Sequence, residues 1–190
     1  MVYCIPESHQ SSNITLYRQE GDAFVEDRVL LSRVEAVDPT LFFHDGFWWL
    51  TFTLRKYSNT HLFIYYASEM TGEYKPHKCN PVKIDIRSSR PAGTPFVHNR
   101  ILYRPAQDCS TTYGGKVVIN QVLQLTPDEF AEQPVSFIDP VRGSLFDKGL
   151  HTLSRVGNDT LIDGKRYRIN RFLFMSQIRR KLGKKEIGNV

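Results

Sequence analysis

The chain has 190 residues, of which 41% are hydrophobic, 24% charged and 12% aromatic, and its formal net charge is +5. No stretch approaches the roughly 18 consecutive apolar residues of a membrane-spanning helix, and the first twenty residues lack the layout of a signal peptide. From Lys165 onward there are nine Lys or Arg and one Glu, a net charge of +8, so the first 164 residues carry −3. These features exclude a transmembrane segment and argue against a nucleic-acid partner for the body of the protein.

The first segments of the chain are typical of strands. Residues 1–5 form an apolar run that ends at Pro6, and residues 13–18 (NITLYR) alternate between apolar and polar side chains. Residues 27–31 (DRVLL) supply a third short strand-like run. Alternation with a period of two is the pattern of a half-buried strand, so we predict three strands here.

The stretch 37–53 (VDPTLFFHDGFWWLTFT) predicts a β-hairpin. Two strand-like runs flank Asp45 and Gly46, and Asp-Gly between such runs favours a two-residue turn because glycine readily accepts positive φ. The pattern returns at 94–103 (TPFVHNRILY), 54 positions later (94 − 40), and a looser echo follows at 151–162. Self-similarity at a period near 55 residues indicates a repeated sheet unit.

The remaining segments continue this pattern. Strands are expected at 62–68 and 116–125, and the segment 80–92 connects two units. Thr126 followed by Pro-Asp-Glu predicts the start of one short helical turn, since Thr caps helices and Pro suits the first helical position. In the last unit, Asp163 and Gly164 predict a hairpin turn.

Four-stranded units with aromatic residues at matching positions are typical of β-propeller blades. We therefore predict an all-β fold, an incomplete five-bladed β-propeller over 1–174, with a short basic helix or tail at 175–190. The predicted blades are approximately 1–36, 37–80, 93–138 and 149–174. In this alignment the chain begins inside the second strand of a unit, which gives about three and a half blades. Exposed blade edges can pair between copies of the chain, so a homo-oligomer is a further expectation.

Five motifs in fixed order resemble one protein family: YCIPES at 3–8, VDPTLFFHDGFWWL at 37–50, RSSRPAG at 87–93, LYRPAQDCSTTYG at 102–114 and GLHTLS at 149–154. They resemble the N-terminal domain of glucosamine inositolphosphorylceramide transferases and of related bacterial proteins. The resemblance implies a five-bladed propeller like that of glycoside hydrolase family 43, and a chain that lacks the first blade or more.

Glu7 and Asp38 are the candidate catalytic carboxyl groups. Glycoside hydrolysis needs two carboxyl groups, one as acid and one as base or nucleophile. In the hydrolases that the chain resembles, an Asp that opens an inner strand is a base or tunes a pKa, and a Glu is the proton donor. Asp38 fits such a strand start, whereas Glu7 follows a strand. The alternatives are structural: Asp38 shapes a strand entrance and Glu7 is an exposed turn residue.

Five further residues are candidates for binding substrate: Arg90, Gln107, Asp108, Tyr113 and His151. Arg suits a carboxylate or phosphate, Gln and Asp suit sugar hydroxyls, and Tyr can stack on a sugar face. His151 opens the last unit, where propellers of the resembling group place a His near the channel. A hydrogen-bonded loop network and a partly buried His explain the same residues equally well.

No metal site or cofactor is expected, because the chain has no Gly-rich phosphate loop and no His/Cys spacing typical of a metal site. The three cysteines, Cys4, Cys79 and Cys109, form no CxxC motif and cannot all pair. Free thiols indicate a reducing compartment, so we expect a cytoplasmic protein.

The leading functional hypothesis is a carbohydrate-active domain that binds, and in a catalytic version processes, a glycan or sugar conjugate in the manner of family 43 hydrolases. The alternative is a non-catalytic glycan-recognition or scaffolding module beside a transferase domain. Because fold is inferred more securely than activity, the sequence leaves open whether the chain is an enzyme. Catalysis predicts that Glu7 and Asp38 converge within about 5–10 Å.

Overall fold

The computed structural model describes residues 1–157 and 159–167, and these residues form strands, turns and two short 3-10 turns, His9–Ser11 and Arg55–Tyr57. The all-β prediction is confirmed. In chain order the strands are β1 (Tyr3–Cys4), β2 (Asn13–Glu20), β3 (Ala23–Ser32), β4 (Ala36–His44), β5 (Phe47–Leu54), β6 (His61–Ala67), β7 (Lys75–Pro76), β8 (Lys83–Ile84), β9 (Phe96–His98), β10 (Ile101–Asp108), β11 (Lys116–Leu125), β12 (Phe130–Ile138), β13 (Leu153–Val156) and β14 (Asp159–Ile162).

The strands form four antiparallel sheets, each made of strands that follow one another in the chain. Sheet 1 is β1-β2-β3, and sheet 2 is β4-β5-β6-β7 with β8 also paired to β6. Sheet 3 has the order β12-β11-β10-β9, and sheet 4 is the pair β13-β14.

The described part of the chain does not show a closed ring of sheets, so the five-bladed propeller, its blade limits and self-association through blade edges stay predictions. The predicted basic helix or tail at 175–190 lies outside the described residues.

The hairpin predicted at 37–53 is confirmed as β4 and β5. Asp45 and Gly46 both have positive φ, 46° and 83°, which is the backbone of a tight hairpin turn. Across the hairpin Phe42 pairs with Trp49, and the indole N–H of Trp49 donates to the carbonyl of His44 at 3.0 Å. The turn therefore sets the register of the central strand of sheet 2.

Strand β5 contributes to two separate cores. Adjacent side chains on a strand point to opposite faces, and Trp49 and Leu50 are both buried. Leu50 packs with Ile14 and Leu16 of sheet 1, whereas Trp49 packs with Leu102 of sheet 3. Sheet 2 is thus packed between sheets 1 and 3. This packing fixes the positions of the strand ends that carry the candidate site.

The short helical turn predicted at Thr126 is wrong. The Thr126 hydroxyl accepts hydrogen bonds from the backbone N–H groups of Asp128 and Glu129, at 3.3 and 3.0 Å, but the chain then enters β12. A Thr side chain can cap a turn between strands with the same local bonds that start a helix. The pairing of β11 with β12 decides the outcome.

The hairpin turn predicted at Asp163 and Gly164 is also wrong. Sheet 4 pairs Leu153–Val156 with Asp159–Ile162, so Asp163 and Gly164 come after this hairpin instead of forming its turn. The Asp163 carboxylate instead accepts the backbone N–H groups of His151 and Thr152, each at 2.8 Å. Asp163 therefore holds the chain at the entrance of β13.

Candidate functional site

A bulge in β4 shapes the site around Asp38. Val37 pairs with Thr53 and Thr40 with Thr51, so Asp38 and Pro39 together oppose one residue, Phe52. Asp38 has a φ of 51°, a left-handed conformation that Asp tolerates better than most side chains. Bulges bend a strand and redirect side chains, and they are frequent beside functional sites.

Four separate segments of the chain meet at Asp38. Its Oδ2 accepts hydrogen bonds from Nε of Arg90 at 2.7 Å and from Nε2 of Gln107 at 2.9 Å. Its backbone N–H donates to Oε2 of Glu7 at 3.1 Å. The structure thus brings together Glu7 after β1, Asp38 in β4, Arg90 in the linker 85–92 and Gln107 in β10, although they span a hundred positions of the chain.

Arg90 is buried between sheets 2 and 3. It is 8% exposed, its Nη1 donates to Oδ1 of Asn59 at 3.0 Å, and its guanidinium carbon lies 4.6 Å from the centroid of the Tyr113 ring. An arginine over an aromatic face gains cation–π attraction in addition to its hydrogen bonds. Arg90 is therefore held on three sides by protein groups.

A buried ionic cluster, Arg104–Glu132–Lys83, supports the linker before Arg90. Arg104 is 2% exposed and donates to both carboxylate oxygens of Glu132, at 2.8 and 2.6 Å. It also donates to the carbonyl of Ser88 at 2.5 Å, and Lys83 donates to Glu132 at 2.7 Å.

The cluster was missed by sequence reasoning. Arg104 and Glu132 lie 28 positions apart in the chain, so no local spacing connects them. The one available signal is the position of Arg104 itself, a charged residue within the buried run of β10.

His151 reaches the site from the start of sheet 4. Its Nδ1 contacts the Asp163 carboxylate, and its ring lies 5.3 Å from the Tyr113 ring. Gly114, with φ 56°, makes this approach feasible, because a Cβ at that position would lie 2.6 Å from the Cβ of His151.

An open cavity of about 380 Å³ lies where these groups meet. Of the predicted site residues, Glu7, Asp38, Gln107 and His151 line the cavity, together with backbone and hydroxyl groups that include Thr152 and Ser154. Cavities of this size accommodate small ligands.

Three predicted binding residues lie outside the cavity lining. Arg90 is buried and contacts Asp38, whereas Tyr113 is exposed and its ring lies beside that of His151. The Asp108 carboxylate accepts the backbone N–H and the hydroxyl of Ser110, at 2.9 and 2.6 Å, so it caps its own turn.

The two carboxyl groups of the cavity have pKa values shifted in opposite directions. Burial raises the pKa of Asp38, and the nearby Glu7 adds to this, against the opposing attraction of Arg90. Burial also disfavours ionised Glu7, but hydrogen bonds from the backbone and side chain of Asp38 and from His9 outweigh it and lower the Glu7 pKa. Glu7 is therefore the group that carries the negative charge most readily.

Glu7 and Asp38 are direct neighbours, joined through the backbone of Asp38. The Glu7 carboxylate accepts the backbone N–H of Asp38 at 3.1 Å. Retaining and inverting glycosidases separate their two carboxyl groups by about 5 to 9.5 Å, with the scissile bond between them. Neither carboxylate is bonded only to its own turn, but Glu7 binds the backbone of Asp38 directly instead of standing opposite it across a substrate.

Residues 1–157 and 159–167 contain no group of three or more His, Cys, Asp or Glu side chains able to hold a metal ion. Within the same residues, no helix has the length and apolar character needed to cross a membrane. Cys4, Cys79 and Cys109 are free thiols, and burial raises the pKa of Cys109.

Comparison with known proteins gives one family. The model of that family, described as "Glucosamine inositolphosphorylceramide transferase 1, N-terminal", matches residues 1–149. No solved structure matches the chain significantly.

Two plant relatives illustrate the similarity. Glucosamine inositolphosphorylceramide transferase 1 of Oryza sativa subsp. japonica is 34% identical over 143 residues, which cover 71% of the chain and 19% of the relative. The protein of the same name from Arabidopsis thaliana is 33% identical over 146 residues, or 72% of the chain and 19% of the relative. The chain thus spans about a fifth of the length of these curated relatives.

Proposed function

The chain belongs to the family of glucosamine inositolphosphorylceramide transferase N-terminal domains, and from this premise we propose that it binds a glycan or sugar conjugate in the cavity lined by Glu7, Asp38, Gln107 and His151. The role is recognition beside a transferase region. The relatives' name supplies the class of ligand, because it contains both an amino sugar and an inositol-phosphate conjugate.

The observation that carries this proposal is the convergence of four chain segments on Asp38. A bulged strand with a left-handed Asp, a buried Arg and a buried Gln is a costly arrangement that ordinary sheet packing does not require. The arrangement ends at a cavity with exposed carboxylate oxygens, and side-chain carboxylates accept hydrogen bonds from sugar hydroxyls.

Binding can be tested by closing the cavity. Ser154 lines the cavity and is exposed, so Ser154→Trp fills the space with an indole without disturbing a core. Ser136→Trp places the same side chain on exposed β12, away from the cavity, and is the matched control. Affinities for methyl glucoside, methyl glucosaminide and methyl N-acetylglucosaminide are measured by calorimetry. We expect binding by the wild type and Ser136→Trp, and its loss in Ser154→Trp. Equal binding by both variants would place the ligand elsewhere.

A second candidate function is glycoside hydrolysis by Glu7 and Asp38. It is favoured by the opposite pKa shifts of the two groups, since acid–base pairs in enzymes are often separated in this way. The bond between the Glu7 carboxylate and the backbone of Asp38 weighs against it, because glycosidases place the scissile bond between their two carboxyl groups. Release of p-nitrophenol from aryl glycosides would support hydrolysis only if Glu7→Gln and Asp38→Asn both abolish it.

A further inference from the structure

Each of the four sheets contributes one part of the cavity wall. Ile5 and Glu7 come from the segment after β1 of sheet 1, and residues 38–40 come from β4 of sheet 2. Residues 91–93 and Gln107 belong to the sheet 3 side, and residues 151, 152 and 154 belong to the sheet 4 side. The wall therefore has four seams, a seam being the place where the parts from two sheets meet.

Three of these seams are bridged by hydrogen bonds. Between sheets 1 and 2, the backbone N–H of Asp38 donates to the Glu7 carboxylate at 3.1 Å. Between sheets 2 and 3, the side-chain amide of Gln107 donates to the Asp38 carboxylate at 2.9 Å. Between sheets 3 and 4, the backbone N–H of Leu153 donates to the carbonyl of Ala92 at 2.7 Å.

The seam between sheets 3 and 4 is closed by the backbone itself. A Cβ at Gly93, which has a φ of 137°, would lie 1.9 Å from the carbonyl oxygen of Leu153. Such a distance is far below van der Waals contact, so the two backbones approach this closely because position 93 is a glycine. No substituent of a ligand can pass between them.

A hydrophobic core also backs each of the three bridged seams. The two cores on either side of β5 fill the spaces between sheets 1 and 2 and between sheets 2 and 3. Leu150, just before β13, packs against Val117 and Ile119 of sheet 3. These three sides of the cavity are therefore solid walls.

The seam between sheets 4 and 1 is different. Ser154 lines the cavity on the sheet 4 side and Ile5 on the sheet 1 side. In the part of the chain that the structure describes, no hydrogen bond, ion pair or hydrophobic cluster joins residues 1–32 to residues 149–167. The cavity thus has one lateral opening, between Ile5 and Ser154.

We infer that the cavity takes the terminal residue of a glycan chain, and that the next residue of the chain leaves through the seam between Ile5 and Ser154. This inference rests on the proposed function and specifies its ligand as a chain end. An internal residue is linked to neighbours at both ends of its ring and so needs two lateral openings, whereas a terminal residue needs one. The exposed hydroxyl of Ser154 can donate to or accept from the second sugar.

The test compares a linear glycan with its ring-closed counterpart on the 190-residue chain. Maltohexaose and cyclomaltohexaose contain the same number of α-linked glucose units, but only the linear sugar has chain ends. Methyl α-glucoside is the single-residue probe. In NMR titrations we expect methyl α-glucoside and maltohexaose to shift the amide signals of the cavity wall to saturation. Cyclomaltohexaose should give no saturable shifts at concentrations that saturate maltohexaose.

A pair of variants locates the second residue. Ser154→Ala should lower the affinity for maltohexaose about threefold relative to that for methyl α-glucoside, the effect of losing one neutral hydrogen bond. Ser136→Ala makes the same change on the exposed strand β12, and its affinity ratio should stay at the wild-type value.

Binding of cyclomaltohexaose as tightly as maltohexaose would overturn the inference and leave glycan binding in place. Binding of methyl α-glucoside without binding of maltohexaose would overturn it as well, because the second residue would then have no exit. A wild-type affinity ratio in Ser154→Ala would show that the chain does not leave beside Ser154. No binding of any probe would overturn both the inference and the proposed function.

Discussion

Arg104→Met tests whether the Arg104–Glu132–Lys83 cluster holds the linker that delivers Arg90. Methionine keeps an aliphatic side chain of similar length but lacks the guanidinium and all of its hydrogen-bond donors. The Glu132 side chain, 2% exposed, then keeps only Lys83, and the Ser88 carbonyl loses its guanidinium partner. Removing one partner of a buried ion pair costs about 3–5 kcal/mol, because it leaves an uncompensated charge in the interior.

The cost can be measured by urea unfolding at neutral pH. With a typical slope of about 2 kcal/mol per molar urea, a loss of about 4 kcal/mol moves the midpoint down by about 2 M. Such a loss is a large part of the stability of an ordinary domain, about 5–15 kcal/mol. A midpoint within about 0.3 M of the wild type would refute the assigned role of Arg104.

A matched triple variant, Lys83→Met/Arg104→Met/Glu132→Leu, separates charge from packing. Replacing all charges of a buried cluster by apolar side chains is often neutral or stabilising, so this variant should be more stable than Arg104→Met.

The cluster also predicts a pH dependence of stability. Burial disfavours ionised Glu132, but Arg104 and Lys83 outweigh this effect and lower the pKa of Glu132 below its ordinary value. The stability that Glu132 contributes is therefore present above the unfolded pKa and lost as the pH falls through the lower folded pKa. The triple variant should lack this acid-dependent loss.

Two further predictions concern the backbone around the cavity. Gly114→Ala should cost about 1–3 kcal/mol more than Gly21→Ala in urea unfolding, because both have left-handed φ but only Gly114 faces His151, 2.6 Å from an added Cβ; equal costs would show that the close approach is unimportant. Asp38→Ala should be about 1 kcal/mol less stable than Asp38→Asn, since Asn tolerates positive φ and Ala does not. If the two Asp38 variants unfold at the same urea concentration, the left-handed bulge contributes no strain.

Local residue chemistry accounts for the turn prediction that is confirmed and for the two that are wrong. The hairpin at Asp45-Gly46 was predictable because only a few dipeptides favour two successive positive φ values. The same reasoning failed at Asp163-Gly164, where the carboxylate binds the backbone of His151 and Thr152. It also failed at Thr126, whose hydroxyl caps a turn between strands. At Thr126 the pairing of β11 with β12 overrode the local preference, and at Asp163 a contact with residues eleven and twelve positions earlier did so.

Four of the seven candidate residues lie at one cavity, their functional roles stay predictions, and the geometry that brings them together was not predictable from the sequence. Glu7, Asp38, Gln107 and His151 were named from motifs and meet at one cavity. The bulge that contains Asp38 depends on the register of β4 against β5, and no local sequence pattern predicts that register. Asp108 was selected for the same chemistry as Gln107, yet it follows one residue later on a strand and so points to the opposite face.

The most direct test of glycan recognition is to map the binding surface by NMR, following backbone amide shifts while methyl glucosaminide is added to the isotopically labelled chain. The proposed site predicts saturable shifts centred on Asp38, Gln107, His151 and Thr152, with little change on the exposed strand β12. Saturable shifts centred on another surface, or none up to millimolar ligand, would contradict the proposal that this cavity binds a sugar.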